Sequence, residues 1–156
     1  MHQGSAIKQI RMALFTEQQQ KQVQDAIAQA ELNTSGEIRV HVDKRCKEEP
    51  MTKAIAVFEK LGMHKTEQRN AVLFYLAMED KKLAILGDKG INEAVPTNFW
   101  DEIRDLMVSH FKKGEFTEGL SKGILMAGEQ LKTAFPYQSD DTNELSNELT
   151  FEDGEA

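Results

Sequence analysis

The chain has 156 residues, 40% apolar and 29% charged, the length of one domain with enough apolar content for a core. No stretch approaches the ~20 successive apolar residues of a membrane helix, residues 1–15 carry no cationic start followed by an apolar block, and a single cysteine, Cys46, cannot close an internal disulfide; the expectation is a cytoplasmic protein without a membrane span. The net charge of -7 belongs to the C-terminal end: seven acids and no base follow Tyr137, leaving nineteen of each sign before it, so no basic stripe invites nucleic acid.

The predicted elements follow in order. Thr16 and Gln19 read as a capping box opening a Gln-rich helix with Val23, Ala26, Ile27 and Ala30 on one face. Asn33-Thr34-Ser35-Gly36 ends it. Ile38, Val40 and Val42 then alternate with Glu37, Arg39, His41 and Asp43, the pattern of a strand with one apolar and one polar face; the polar face suggests that the strand lies near an edge or lines an opening. After a charged loop at Cys46–Glu49, Pro50 suits the first position of a helix that buries Ala54, Ile55, Phe58 and Leu61 and stops at Gly62. Residues 71–78, the longest apolar run, read as a central strand covered on both faces, and Leu83–Leu86 returns as its hairpin partner.

Gly87–Ile91 reads as a tight loop and Asn92–Val95 as one helical turn closed by Pro96. Thr97 or Asn98 caps a helix presenting Trp100, Ile103, Met107 and Phe111 inward, and a last helix carries Leu120, Ile124, Ala127, Leu131 and Phe135. Gly119 and Gly123 let this helix lie close to a neighbour. A strand, a crossover helix and a second strand imply a parallel pair. The predicted fold is therefore α/β: a small mixed sheet, a parallel βαβ pair plus an antiparallel hairpin strand, sandwiched between helices. Residues 1–14 form an N-terminal extension, 15–137 the domain and 138–156 an acidic tail.

Most enzyme signatures are missing. The segment 114–121 resembles a P-loop except that Leu120 stands where lysine must reach the phosphates. Cys46 has no arginine loop after it and reads as a bystander thiol. His110 falls on an apolar helix face as a core histidine; His41, beside Arg39 and Asp43, is either a solvated edge residue or part of a site. In the tail, Asn143-Glu144-Leu145-Ser146 is echoed by Asn147-Glu148-Leu149-Thr150, which sets Leu145 and Leu149 on one helical face near Phe151. Such a segment either docks, on its own body or on a protein partner, or serves as a disordered solubilising tail.

Topology brings three turns to one rim. The antiparallel third strand ends where the first two begin, so Ser35, Gly36 and Glu37, Arg69 and Asn70, and Gly87, Asp88, Lys89 and Gly90 should cluster there as a ligand-binding rim. Glu37 and Asp88 could hold a divalent cation such as calcium through carboxylate oxygens, or Arg69 could neutralise one of them in a structural ion pair.

These turns also carry a family resemblance. The stretches 34–40 (TSGEIRV), 69–73 (RNAVL) and 84–91 (AILGDKGI), with Phe111, Gly119, Gly123-Ile124 and Gly128 further on, make the region from Phe15 to Phe135 similar to a TPM domain. The resemblance implies an α/β sandwich with its site at this rim, calcium binding in some relatives, acid phosphatase activity in a plant member, and a non-catalytic helper role at protein complexes in others. It leaves two functional expectations. One is a binding module that reads a protein or small ligand at the rim. The other is a metal-assisted phosphomonoesterase in which Glu37 and Asp88 hold a cation and Arg69 clamps the phosphoryl oxygens; no phosphatase nucleophile is recognisable in the chain.

Overall fold

The structure, a computed structural model, describes residues 15–138 and 146–151; the expected N-terminal extension and Leu145 of the tail repeat lie outside them. The first helix, α1 (Glu17–Ala30), opens with the capping box, in which the Gln19 amide donates to Thr16 Oγ1 at 3.1 Å and the Thr16 amide to Gln19 Oε1 at 2.9 Å. Strand β1 (Glu37–Asp43), helix α2 (Pro50–Lys60) and strand β2 (Ala71–Ala77) form the crossover unit, and β1 and β2 pair in parallel from Glu37 opposite Ala71 to Asp43 opposite Ala77. Strand β3 (Lys82–Gly87) runs back along β2 with Gly87 opposite Val72. Helices α3 (Lys89–Ala94), α4 (Asp101–Phe111) and α5 (Phe116–Leu131) follow, and a short strand β4 (Thr150–Phe151) completes the sheet in the order β3-β2-β1-β4.

Strand alternation divides the interior. Ile38, Val40, Val42, Val72, Phe74 and Leu76 point into the larger core with α1, α4 and α5. Leu73, Tyr75 and Ala77 point the other way, onto Ala54, Val57 and Phe58 of α2 and onto Met63. α2 lies over β2 and β3, so the residues of β1 on that face, Arg39, His41 and Asp43, have no apolar lid and are polar. On the opposite face α5 packs against both α1 and α4. At Gly128 an added Cβ would stand 2.8 Å from the Ala30 carbonyl oxygen, and at Gly123 2.7 Å from the Met107 side chain; a stripe of small residues here serves helix–helix contact.

β1 lies next to the sheet edge, where β4 arrives from a remote tail segment and pairs beside it, His41 opposite Thr150 and Val42 opposite Phe151. Other local expectations change. In that tail Leu149 and Phe151 are buried, as loop and strand instead of a helical face. Ile55 is 47% exposed, and Val57 takes the buried place expected of it, since α2 covers only part of the sheet. The loop after β3 is helical from Lys89 because Asp88 caps it, its side chain accepting the Lys89 amide at 2.8 Å.

Candidate functional site

The turn before β2 and the turn after β3 hold each other. Arg69 sits in the left-handed region at φ 51, which turns its carbonyl to accept the Gly90 amide at 2.8 Å. A side chain at Gly90 would run into the Gln68 carbonyl and stand 2.6 Å from the Arg69 carbonyl oxygen, so only glycine permits the approach. Arg69 then grips Asp88 with two prongs, Nε to Oδ2 at 2.7 Å and Nη2 to Oδ1 at 2.9 Å. The hydrogen bond to Asp88 holds the guanidinium above even its ordinary range. Asp88 is buried while Arg69 is half exposed. This pairing is the structural ion pair that the sequence left as one of two readings, and it engages both carboxylate oxygens.

The remaining rim residues lie behind this pair. Asn70 Nδ2 donates to the Ser35 carbonyl at 3.1 Å, and the Glu37 amide donates to the Asn70 carbonyl at 3.1 Å. The loop is anchored by the segment that follows α5, since the Ser35 amide and the Thr34 hydroxyl both donate to the Phe135 carbonyl. Gly36, Glu37 and Asn70 are buried. The Glu37 carboxyl faces Glu31 at the end of α1, a partner sequence reasoning missed. Glu31 Oε2 accepts the Ile38 amide at 2.9 Å. Burial, with the charge and hydrogen bond of Glu37, pushes the Glu31 carboxyl up to about 8 against the opposing Ile38 hydrogen bond. The pair therefore holds a proton at neutral pH, a carboxyl bound to a carboxylate. The two residues expected to share a cation, Glu37 and Asp88, thus engage different partners, and among the described residues no three His, Cys, Asp or Glu side chains converge to hold a metal ion.

Beside the Arg69–Asp88 pair a cleft of about 770 Å³ opens between α2 and the β3–α3 turn. Ile55, Phe58 and Leu86 give it an apolar floor, and Arg69, Asp88 and Lys89 stand with His64, Glu59 and Glu93 around it. Of the predicted rim, Arg69, Gly87, Asp88 and Lys89 line this cleft; Ser35, Gly36, Glu37, Asn70 and Gly90 do not. Ile55, Glu59 and His64 were invisible as site residues, because nothing local marks a helix face that borders a turn 30 residues away.

A second polar cluster occupies the far end of β1. His41 Nε2 lies 2.7 Å from Asp43 Oδ1, the Tyr75 hydroxyl donates to Asp43 Oδ2 at 2.7 Å, and the His41 and Tyr75 rings stack. Burial alone would raise Asp43; the hydrogen bonds from His41 and Tyr75, with the charges of His41 and Lys53, outweigh it and hold the carboxyl below its usual range. Burial, Asp43 and Cys46 together push the Tyr75 hydroxyl far up, so it stays a donor. His41 is buried, and the alternating polar pattern of β1 was the signal for it. His110 is half buried and satisfied by Glu115 Oε1 at 2.8 Å.

A parallel strand pair with a hairpin third strand and helices on both faces define an α/β sandwich, with a cleft between α2 and the β3–α3 turn. Residues 11–130 match the model of the TPM domain, and the chain belongs to that family. It is similar to the BA42 protein of the psychrophilic bacterium Bizionia argentinensis, known from an NMR structure, with 45% identity over 86% of this chain and 92% of that one and a TM-score of 0.82. It also shares its fold with the N-terminal domain of a protein from P. gingivalis, at 19% identity, 78% and 79% coverage and a TM-score of 0.64. No curated protein gives a significant match.

Proposed function

We propose that the chain is a binding module whose cleft between α2 and the β3–α3 turn receives a segment of a protein partner. The observation that carries this reading is the cleft itself, an apolar floor of Ile55, Phe58 and Leu86 under a lip bearing both signs of charge. Ligand sites of this size are typically apolar with a few placed polar groups. Arg69 uses two of its five donors on Asp88, so the guanidinium is held rigid with donors left for a ligand. A phosphomonoesterase would ask Asp88 to hold a cation and Arg69 to clamp a phosphoryl group, whereas here the two neutralise each other.

The test is a titration of the full chain with a capped peptide bearing one aromatic residue between a lysine and a glutamate, followed by amide chemical shifts. Shifts should gather at residues 55–59, 64 and 86–89 and vanish in Ile55→Asp, a change at an exposed position that leaves the core alone. Hydrolysis of a chromogenic phosphate ester that is lost in both Asp88→Asn and Arg69→Ala would replace this reading with the enzymatic one. Calcium at millimolar concentration, read by melting temperature, tests Glu37 and Asp88 as cation ligands: a bound ion stabilises by RT ln(1 + [L]/Kd), about 2.7 kcal/mol at a hundredfold excess, and would require the Arg69 fork to open.

A further inference from the structure

The tail strand is held by an unusual set of atoms. β4 contributes only two ladder residues, short against the roughly 5–6 of an ordinary strand, and its apolar anchors are Leu149 and Phe151 in the larger core. Between them Thr150 turns its hydroxyl toward β1, where Oγ1 lies 2.7 Å from His41 Nδ1 and 3.3 Å from the Val40 carbonyl oxygen. On its other side His41 meets Asp43, whose carboxyl is held below its usual range and so accepts without donating. The Nε2 atom must therefore carry a hydrogen.

The count of hydrogens then depends on the charge of the ring. A neutral imidazole has one N–H; with that on Nε2, Nδ1 is bare and takes the single hydroxyl hydrogen of Thr150, and the Val40 carbonyl receives none from it. When a proton from solvent occupies Nδ1, that nitrogen donates to Oγ1 and the hydroxyl hydrogen passes to Val40. Every link from Asp43 through His41 and Thr150 to Val40 then has one donor and one acceptor, and the ring is an ion-pair partner of Asp43. We propose that residues 146–151 are a latch on β1, tightened when His41 takes up a proton and loosened when it gives it up.

The groups around the ring are accounted for on each side. On β1 they are Asp43 and, two residues the other way, Arg39. On β2 Tyr75 stacks on the ring, with Cys46 against the Tyr75 hydroxyl. From α2 the Lys53 charge acts on Asp43, and from the start of the latch Glu148 acts on Arg39. Release uncovers the outer edge of β1 at Val40–Val42 and the recesses of Leu149 and Phe151, a form of edge to which another extended strand adds. This latch is separate from the cleft and does not depend on what the cleft binds.

The experiment is heteronuclear NOE measurement on Leu149, Thr150 and Phe151 of the full chain between about pH 5 and 8, the range in which histidine ordinarily changes charge, with the His41 ring signals followed in the same samples. The released population should rise about tenfold from the acid to the basic end, which corresponds to about 1.4 kcal/mol, the scale of one charge-assisted hydrogen bond. Thr150→Val keeps the branched shape and removes the hydroxyl; its latch should be looser at the acid end and insensitive to pH, while Thr150→Ser keeps the response. The other histidines are common to all three chains, so the difference isolates this contact. A latch equally ordered throughout while the ring titrates, a ring that does not titrate in this range, or a Thr150→Val curve that follows the parent overturns the proposal.

Discussion

Glu31→Gln should stabilise this protein at neutral pH and above, although it replaces a half-buried, hydrogen-bonded side chain. In the fold the Glu31 carboxyl keeps its proton up to about pH 8, whereas an unfolded glutamate ordinarily gives it up near 4.5. Between these values the folded chain binds a proton that the unfolded chain has released, so stability falls as pH rises across that window. At pH 7 the unfolded group is about 2.5 units past its pKa, and at about 1.4 kcal/mol per unit the ceiling is about 3.4 kcal/mol. Water reaching a half-buried carboxyl lowers this, to about 1–2 kcal/mol.

Glutamine supplies an acceptor for the Ile38 amide and a donor for Glu37 without a proton to lose. Urea unfolding of parent and variant from about pH 4 to about pH 8 reads the effect. The two should converge at the acid end, where glutamate is neutral in both states, and separate progressively above it, with the variant flatter and ahead by about 1–2 kcal/mol near neutrality. A variant that is weaker than the parent at every pH, or that keeps the same slope, would mean that Glu31 is ionised in the fold and that the pair with Glu37 holds no proton.

Two further outcomes follow from the same reasoning. Tyr75→Phe removes the hydroxyl that donates to Asp43 at 2.7 Å and leaves a buried carboxylate short of a partner, at a cost of about 1.5–3 kcal/mol in urea unfolding. Because Asp43 is held below its usual range, its contribution is present above the unfolded value and lost as pH falls through the lowered one; the variant should begin to lose stability at higher pH in an acid titration followed by circular dichroism, and an unchanged acid limb would refute the network. Gly90→Ala places a methyl group against the carbonyls of Gln68 and Arg69, main-chain atoms that cannot step aside, and should cost about 2–4 kcal/mol while shifting the amide signals of residues 69 and 88; equal stability would show that the two turns are not locked together.

The amino-acid sequence by itself determined the succession of elements, because periodicity and end signals are local. Thr16 with Gln19, the alternation of Ile38, Val40 and Val42, the apolar run from Ala71 and the return from Leu83 each state an element within a few residues, and the parallel pair follows from a crossover helix between strands. That the turns carrying Arg69 and Asp88 share an end of the sheet was legible too, since strand direction dictates it, but not which carboxylate Arg69 would meet. Tertiary structure decided what each polar group meets. That Glu31 faces Glu37 depends on the angle at which α1 enters β1, and that His41 is buried depends on Thr150, more than 100 residues away, completing the sheet. A two-residue strand leaves no periodic trace in the chain, and a side chain's pKa and hydrogen-bond partner are set by neighbours that only folding supplies.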